Sequence, residues 1–426
     1  MSEKSISDLV NSPNSMEDYD PNSMPVEQAK HYIRDYLNPV SATETLVLRE
    51  TLGRILAEDI LSTANVPNYD NSAMDGYAFN ADAQNAQGET RLKIVGDAFA
   101  GNSFTGALQR GECVRIMTGG AIPVGADTVI PQEYIKIDAA DIVFTEPLKQ
   151  GRNVRCAGED LKLGQVVLSK GHMIQAADLG LIASLGIGEV KIYRKLRVAI
   201  FSTGDELASV GQALNIGQVY DSNRYTLYGM LTRLGVEIID LGAVKDDPQL
   251  LEKALAKAAE QADVIITSGG VSVGAADHMK ALLKKLGQVV FWKIAMKPGR
   301  PLAYGKVGNA HYFGLPGNPV AVMVTFYQFV RDALLFMMGQ PTPKQQPLLS
   351  VICTSDIKKL KGRTEFQRGI LFTDTDGHWK VKTTGNQGSA ILSSMSAANC
   401  FIVLQEETGN LDAGSTVKVQ LLEGII

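Results

Sequence analysis

The strongest constraint in this chain is a rhythm that begins at residue 196. Apolar, β-prone runs (LRVAIFS, VEIIDLG, DVIITSGG, VVFWKI, HYFGLP) alternate with helix-length segments (RYTLYGMLTRLG, PQLLEKALAKAAEQ, DHMKALLKKLG, PVAVMVTFYQFVRDALLFMMG). Residues 198–202 and 264–268 are nearly continuous apolar runs, as expected of strands whose sheet is covered on both faces. Covering both faces with the intervening helices requires crossover connections, which make neighbouring strands parallel. The segment is therefore expected to form a doubly wound, mostly parallel α/β sheet.

The flanking sequence has a different texture. Residues 1–22 are rich in Ser, Asn and Asp without an apolar period and read as a disordered tail. A helix is expected next, with Pro25 in its first turn and Val26, Ala29, Ile33 and Leu37 on one face. Over 59–150, short runs (YAF, RLKIVG, CVRIM, DTVI, YIKI, DIVF) separated by Gly, Pro and Asn predict an all-β module. An apolar helix is expected over 175–187, a Pro-rich linker over 340–347, and a small β-barrel over 348–426.

Charge and composition remove whole classes of function. Among 426 residues, 41 Lys plus Arg face 46 Asp plus Glu, a net charge of −5. That balance argues against a general nucleic-acid binder, which needs a basic face to neutralise phosphates. The first residues carry no apolar signal core, and no run reaches the roughly 18–20 apolar residues of a membrane span. A cytoplasmic protein without membrane association is expected. The four cysteines (Cys113, Cys156, Cys353, Cys400) and five histidines show no CxxC, HxH or HxxxH spacing. Any bound metal is thus expected to be a hard ion on oxygen ligands.

In an open α/β sheet, ligands bind beyond the carboxyl ends of the strands. The sequence places four loops there: STGDE (202–206), VKDDP (244–248), SGGVSVG (268–274) followed by Asp277, and GLPGNP (314–319). The two Gly-rich loops suit oxyanions, because small residues let backbone N–H groups approach and a following helix adds its positive end. Neither matches a Walker A loop or GxGxxG, which disfavours ATP hydrolysis and Rossmann-type dinucleotide binding. Asp205, Glu206, Asp246 and Asp277 would repel one another at one edge unless a cation intervened, and Mg²⁺ with substrate phosphate oxygens meets that need. Taken singly, each acid also reads as a helix cap and each Gly-rich loop as a tight turn. Lys293, Lys297 and Arg300, interrupted by Pro and Gly, form a loop suited to an oxyanion, or else a solvated charge run. The polar loop VPNYDNSAMDGYA (66–78) is of a kind that carries function, with an exposed turn as the alternative. The residues alone point to an Mg²⁺-assisted enzyme acting on an oxyanion or phosphate ester.

The ordered motifs NSAMDGYA, RIMTGGAIPVGADTVI, VRCAGEDL, STGDEL, SGGVSVGAADH, KIAMKPGRPLAY and GLPGNPVA resemble the MoeA family of bacterial molybdopterin molybdenumtransferases, from about residue 25 to the C-terminus. The resemblance implies an elongated homodimer whose active clefts draw on both subunits. It implies four domains: a discontinuous helical linker domain (23–58 and 151–190), a β-rich domain (59–150), an α/β molybdopterin-binding domain (191–340) and a C-terminal β-barrel (341–426). The implied reaction inserts molybdate into the dithiolene of adenylylated molybdopterin, with Mg²⁺-dependent release of AMP. Transient contacts with other molybdenum cofactor biosynthesis proteins are implied as well.

Matched by motif, Asp75 and Thr118 would act from the β-rich domain, and Arg155 and Asp160 would support the substrate from the VRCAGED stretch. Glu206, Asp246 and Asp277 would hold Mg²⁺ or position water, and Ser268, Gly269, Gly270 and Ser272 would form the anion loop. Lys293, Lys297 and Arg300 would bind phosphate or molybdate oxygens. Pro316 and Pro319 would shape the last loop, with Arg368 and Ser389 contributing from the barrel. Two departures stand out: Ala275 and Ala276 where similar loops often carry an acid, and Cys156 and Ala157 where basic residues are expected. Two rival functions follow from the same resemblance, the upstream adenylyltransferase step and a non-catalytic scaffold. The appended β-rich domain and barrel argue against the first, and the intact acidic and basic loops against the second.

Overall fold

A computed structural model describes residues 23–85, 88–270, 276–341 and 347–422, without the side chains of Ala276, Asp277 and Phe291. The expected disordered tail and Ser272 lie outside the described residues. The chain separates into two compact units, one comprising residues up to 45, 53–57 and 191 onward, the other 46–52 and 58–190.

In the second unit all six expected β runs form strands of one sheet. Its order is Thr128–Pro131, Gly76–Phe79, Glu112–Ile116, Thr90–Ala98, Asp141–Phe144, Lys136–Asp138. Alternating side chains bury opposite faces, as a period of two requires. Tyr77, Phe79, Cys113 and Ile130 join one cluster; Ala78, Val114, Ile116 and Val129 join the other. The sheet is closest at Gly76, where a Cβ would stand 1.9 Å from the Ile130 carbonyl oxygen. The helix expected near 175 spans Ala176–Ser184.

The first unit contains the α/β domain, whose elements are numbered here within it. They are β1 (Arg197–Thr203), α1 (Ser222–Leu234), β2 (Glu237–Val244), α2 (Pro248–Gln261), β3 (Val264–Ser268), α3 (Ala276–Leu286), β4 (Gly287–Lys293), β5 (Pro301–Val307) and β6 (Ala310–Leu315). The sheet order is β2-β1-β3-β6-β5-β4. Only β5 runs against the others, being antiparallel to both β6 and β4. The sequence pattern does not reveal β5, because its opening proline and the preceding KPGR read as loop punctuation. A proline is tolerated as the first residue of a strand. The consequence is functional: β4 and β5 make a hairpin, and the basic loop between them emerges at the same carboxyl edge as the Gly-rich loops.

Phe201, Ile265 and Tyr312 on one sheet face pack with Leu251, Leu255, Met279 and Leu283 of α2 and α3. α1 and the helix beginning at Pro319 lie against the sheet too. That last helix runs Pro319–Met337, with a π-helical stretch at Phe326–Val330. Against the expectation from the sequence, this helix is by length and composition apolar enough to cross a membrane, yet 72% of its apolar window is buried inside the fold, so it serves as a core helix.

The N-terminal helix Val26–Asp35 buries Val26, Ala29 and Ile33. Leu37 is buried too, just beyond the helix end. The Ile33 carbonyl accepts a hydrogen bond from Tyr304 Oη at 3.2 Å. The C-terminal segment closes a five-stranded barrel in which Thr364–Thr373 pairs with both Trp379–Thr383 and Cys400–Leu404. The short strand Met296–Lys297 pairs in parallel with Thr364–Glu365 and ties the basic loop to the barrel.

Gly76→Ala is expected to destabilise the β-rich sheet by about 1–3 kcal/mol, because the clash is with backbone that must shift. Urea unfolding checks this, and an unchanged midpoint would contradict the close approach.

Candidate active site

The Gly-rich loop after β3 is shaped by contact with β1. Gly269 and Gly270 adopt φ of +90° and +70°. A Cβ on Gly269 would lie 2.6 Å from the Thr203 carbonyl oxygen, so only glycine fits this turn. Asn223, in the first turn of α1, binds the neighbouring loops together. Its Nδ2 donates to Ser268 Oγ at 2.8 Å and to the Gly317 carbonyl at 2.6 Å. The Gly269 N–H donates to the Leu315 carbonyl at 3.2 Å. The SGG and LPGN loops thus form one rigid wall.

The acidic side of the same edge is electrostatically frustrated. Asp205 Oδ1 accepts a hydrogen bond from the Asp246 N–H at 3.2 Å. Burial, then the Asp205 and Glu206 carboxylates, push the Asp246 carboxyl above its ordinary range, with His278 opposing. A nearby hard divalent cation would relieve this repulsion, the role expected of Mg²⁺ at Glu206 and Asp246. The Asp277 side chain lies outside the described residues. Among the described residues, the one group of three acidic or histidine side chains with ligand atoms within 4.8 Å of one another is Asp374, Asp376 and His378. It closes a barrel hairpin: Asp374 pairs with Lys380 at 2.7 Å and accepts from the Asp376 and His378 N–H groups.

Beside the LPGN loop opens a cleft of about 700 Å³, lined by Lys297, Arg300, Lys358 and Arg363, with Asp356 the one acidic residue among the described residues of its lining. The fold gathers four residues expected from the sequence here: Lys297, Arg300, Pro316 and Ser389. Lys358, Arg363, Gln367 and Asn386 were not foreseen. The KKLKGR run (358–363) was the available signal. Lys293, Pro319 and Arg368 do not line this cleft. Lys293 ends β4, and its carbonyl accepts from the Met24 N–H at 2.8 Å. Pro319 opens the helix whose Val320 N–H donates to the Ser389 carbonyl at 3.1 Å. Arg368 is 1% exposed. Its guanidinium donates to the carbonyls of Asn386, Gln387 and Gly388 and to Ser394 Oγ. It therefore holds the 386–388 loop in the cleft wall from behind.

Unmet hydrogen-bonding capacity converges on this region. Six buried side-chain atoms lack a partner among the described residues: Thr203 Oγ1, Asn223 Oδ1, Trp292 Nε1, Arg300 Nε, Thr325 Oγ1 and Glu365 Oε1. All but Trp292 belong to the Gly-rich wall or border the cleft. Thr203 and Asn223 flank the SGG loop, and Arg300 lines the cleft. Thr325 Oγ1 would be 2.5 Å from a Cβ on Gly299, and Glu365 lies beside Lys297. Leaving such atoms unpaired costs about 1–3 kcal/mol each, a cost carried close to the Gly-rich wall and the cleft.

In the other unit, the Thr118 N–H and Oγ1 donate to Asp75 Oδ1 at 2.7 and 2.8 Å. These two bonds hold the Asp75 carboxyl below its ordinary range. Arg155 pairs in register with Asn71, and the Asp160 N–H donates to the Val66 carbonyl, so both flank the 66–78 loop. Asp70, unassigned from the sequence, accepts from the Ala157 N–H at 2.7 Å.

Known proteins share this architecture. Residues 24–186 match the MoeA N-terminal region (domain I and II), 199–335 a probable molybdopterin binding domain, and 350–422 the MoeA C-terminal region (domain IV). A molybdopterin molybdenumtransferase of Haemophilus influenzae is 48% identical over 396 residues, covering 93% of this chain and 98% of that protein. The chain belongs to the MoeA family. A Nostoc relative of the same name is 35% identical, covering 88% of each chain. The crystal structure of a molybdopterin biosynthesis MoeA protein from Pyrococcus horikoshii matches with a TM-score of 0.82 at 30% identity, covering 94% of this chain and all of that one. As a MoeA-family member, the chain is a molybdenum cofactor biosynthesis enzyme, and its Gly-rich wall, carboxylates and cationic cleft lie within the segments matched to the molybdopterin binding domain and the MoeA C-terminal region.

The raised Asp246 group favours the folded protein at low pH, and that contribution is lost as pH rises through its folded-state value. At neutral pH without a cation the charge is a liability. Asp246→Asn is therefore expected to melt no lower than wild type in chelator at pH 7, while losing any rise in melting temperature caused by Mg²⁺. Equal Mg²⁺ stabilisation of both proteins would remove Asp246 from the cation site.

Proposed function

We propose that this enzyme inserts molybdate into the dithiolene of adenylylated molybdopterin, with Mg²⁺-dependent release of AMP. The observation that carries the reading is the junction of the Gly-rich wall, through Pro316 and Gly317, with a cleft lined by Lys297, Arg300, Lys358 and Arg363. Ser268, Gly269 and Gly270, with Ser272 beyond the described residues, would cradle substrate phosphates through backbone N–H groups. Lys297 and Arg300, aided by Lys358 and Arg363, would collect the molybdate oxyanion, with Ser389 and Pro316 shaping the space. Arg368 would act by holding the 386–388 loop, and Pro319 by setting the helix N-terminus behind it. Lys293 would add positive charge at the end of β4. Glu206, Asp246 and Asp277 would hold Mg²⁺, which when bound supplies charge neutralisation for the phosphoanhydride. Water would add across the P–O–P bridge of that bond, giving AMP and the phosphate monoester on the pterin side. Asp75 and Thr118 belong to the reading as contributors from the β-rich domain, and Arg155 and Asp160 as contributors from the linker region.

The proposal includes the four-domain division, a cytoplasmic location, transient contacts with other proteins of the pathway, and a homodimer whose clefts draw on both subunits. Exposed apolar side chains concentrated between 210 and 228, among them Ile216, Val219, Tyr225 and Tyr228, support a protein contact. In a two-fold dimer a shared cleft occurs twice.

The central test is AMP release from adenylylated molybdopterin with molybdate and Mg²⁺ varied; release independent of both would sink the reading. Asp277→Asn should lower the rate by orders of magnitude with the fold intact. Near-normal turnover with an unchanged Mg²⁺ optimum would discard that ligand. Co-expressed Asp75→Ala and Asp277→Ala subunits should recover part of the activity that each variant alone lacks. A purified mixed dimer no better than either parent would place each site within one chain.

A further inference from the structure

One buried acid stands behind the anion cleft without a role so far. Glu365 is 1% exposed and faces Lys297 in register across the parallel pair that ties the basic loop to the barrel. Its Oε2 accepts from Gln367 Nε2 at 3.0 Å. Its Oε1 has no hydrogen-bond partner among the described residues, and Lys297 Nζ stands 3.7 Å away, too far for one. The Lys297 side chain is 49% exposed. Glu365 also acts on Lys359, whose Nζ is already engaged by the Leu360, Glu406 and Thr408 carbonyls.

A carboxylate removed from water needs a counter-charge, and here the half-exposed counter-charge is also a cleft cation. The clamp from Gln367 and the surrounding burial hold the carboxylate in place. Lys297 can lean toward an oxyanion only by leaving Glu365 further behind.

We propose that Glu365 is a positioning residue that aims the Lys297 ammonium and, as a built-in competing anion, weakens the cleft's hold on simple divalent oxyanions. The inference rests on the reading of the cleft as an anion site. It assigns to Glu365 the function of letting the oxyanion leave Lys297 once it is transferred. Removing one nearby negative charge should deepen the cleft's positive potential, and a dianion feels that change doubly.

The test is equilibrium binding of molybdate and of sulfate to the full-length wild type, Glu365→Gln and Glu365→Asp. Glu365→Gln should bind both anions on the order of tenfold tighter, with both kcat and the KM for molybdate lowered in AMP release. Glu365→Asp should stay near wild type. A purely structural role would weaken binding instead. Unchanged or weaker binding by a folded Glu365→Gln protein would overturn the proposal. Wild-type protein that binds neither anion would take the anion reading down with it. If Glu365→Gln does not fold, Lys297→Gln carries the test. With its nearest counter-charge gone, the buried carboxylate should make that variant melt lower than wild type at about pH 7. Equal melting temperatures would show that the pair does not exist.

Discussion

The structure depends on a sheet whose central strands cannot face water on either side. Phe201 and Ile265 are fully buried, and the neighbouring β3 is buried along its whole length. Helices must therefore cover both faces, and the crossovers that place them deliver the loops after β1, β2, β3 and β6 to a single edge. The Gly-rich wall and the acidic side of the site follow from that delivery. The reversed strand β5 adds the basic loop to the same edge without adding another helix.

At that edge, close packing and incomplete hydrogen bonding coexist. Gly269 touches the Thr203 carbonyl so tightly that no side chain fits. Asn223 uses its amide nitrogen to join two loops and leaves its oxygen without a partner among the described residues. The wall is rigid in backbone and unsaturated in polar groups. A site prepared in this way loses little order on binding, since its donors and acceptors already stand in place. The barrel extends the same logic, because the buried Arg368 fixes a loop of the cleft without entering it.

Much of the fold was legible in linear order. The six short β runs of the smaller unit are punctuated by Gly, Pro and Asn, and the near-continuous apolar runs of the α/β domain admit few other folds. The strand β5 escaped because Pro301 and the preceding KPGR carry the local signature of a turn. A strand bracketed by two others, with proline only at its first position, is recognised by its pairing rather than by its own residues. The cationic cleft was half legible for a related reason. Lys297 and Arg300 stand in a loop whose Pro and Gly exclude a helix, whereas Lys358 and Arg363 lie in a basic run that reads as ordinary surface.

By itself the sequence determined the residue types at each strand end, the order of the motifs and, through them, membership of the MoeA family. These are local properties: glycine where backbone must approach backbone, acids and cations where loops reach solvent. Only the tertiary structure decided which charges share a space. Lys297 meets Glu365 because a two-residue strand pairs with the first residues of a barrel strand. Arg368 turns inward because three loop carbonyls converge on its guanidinium. Neither outcome is written in spacing, because both depend on segments far apart in the chain brought together by burial.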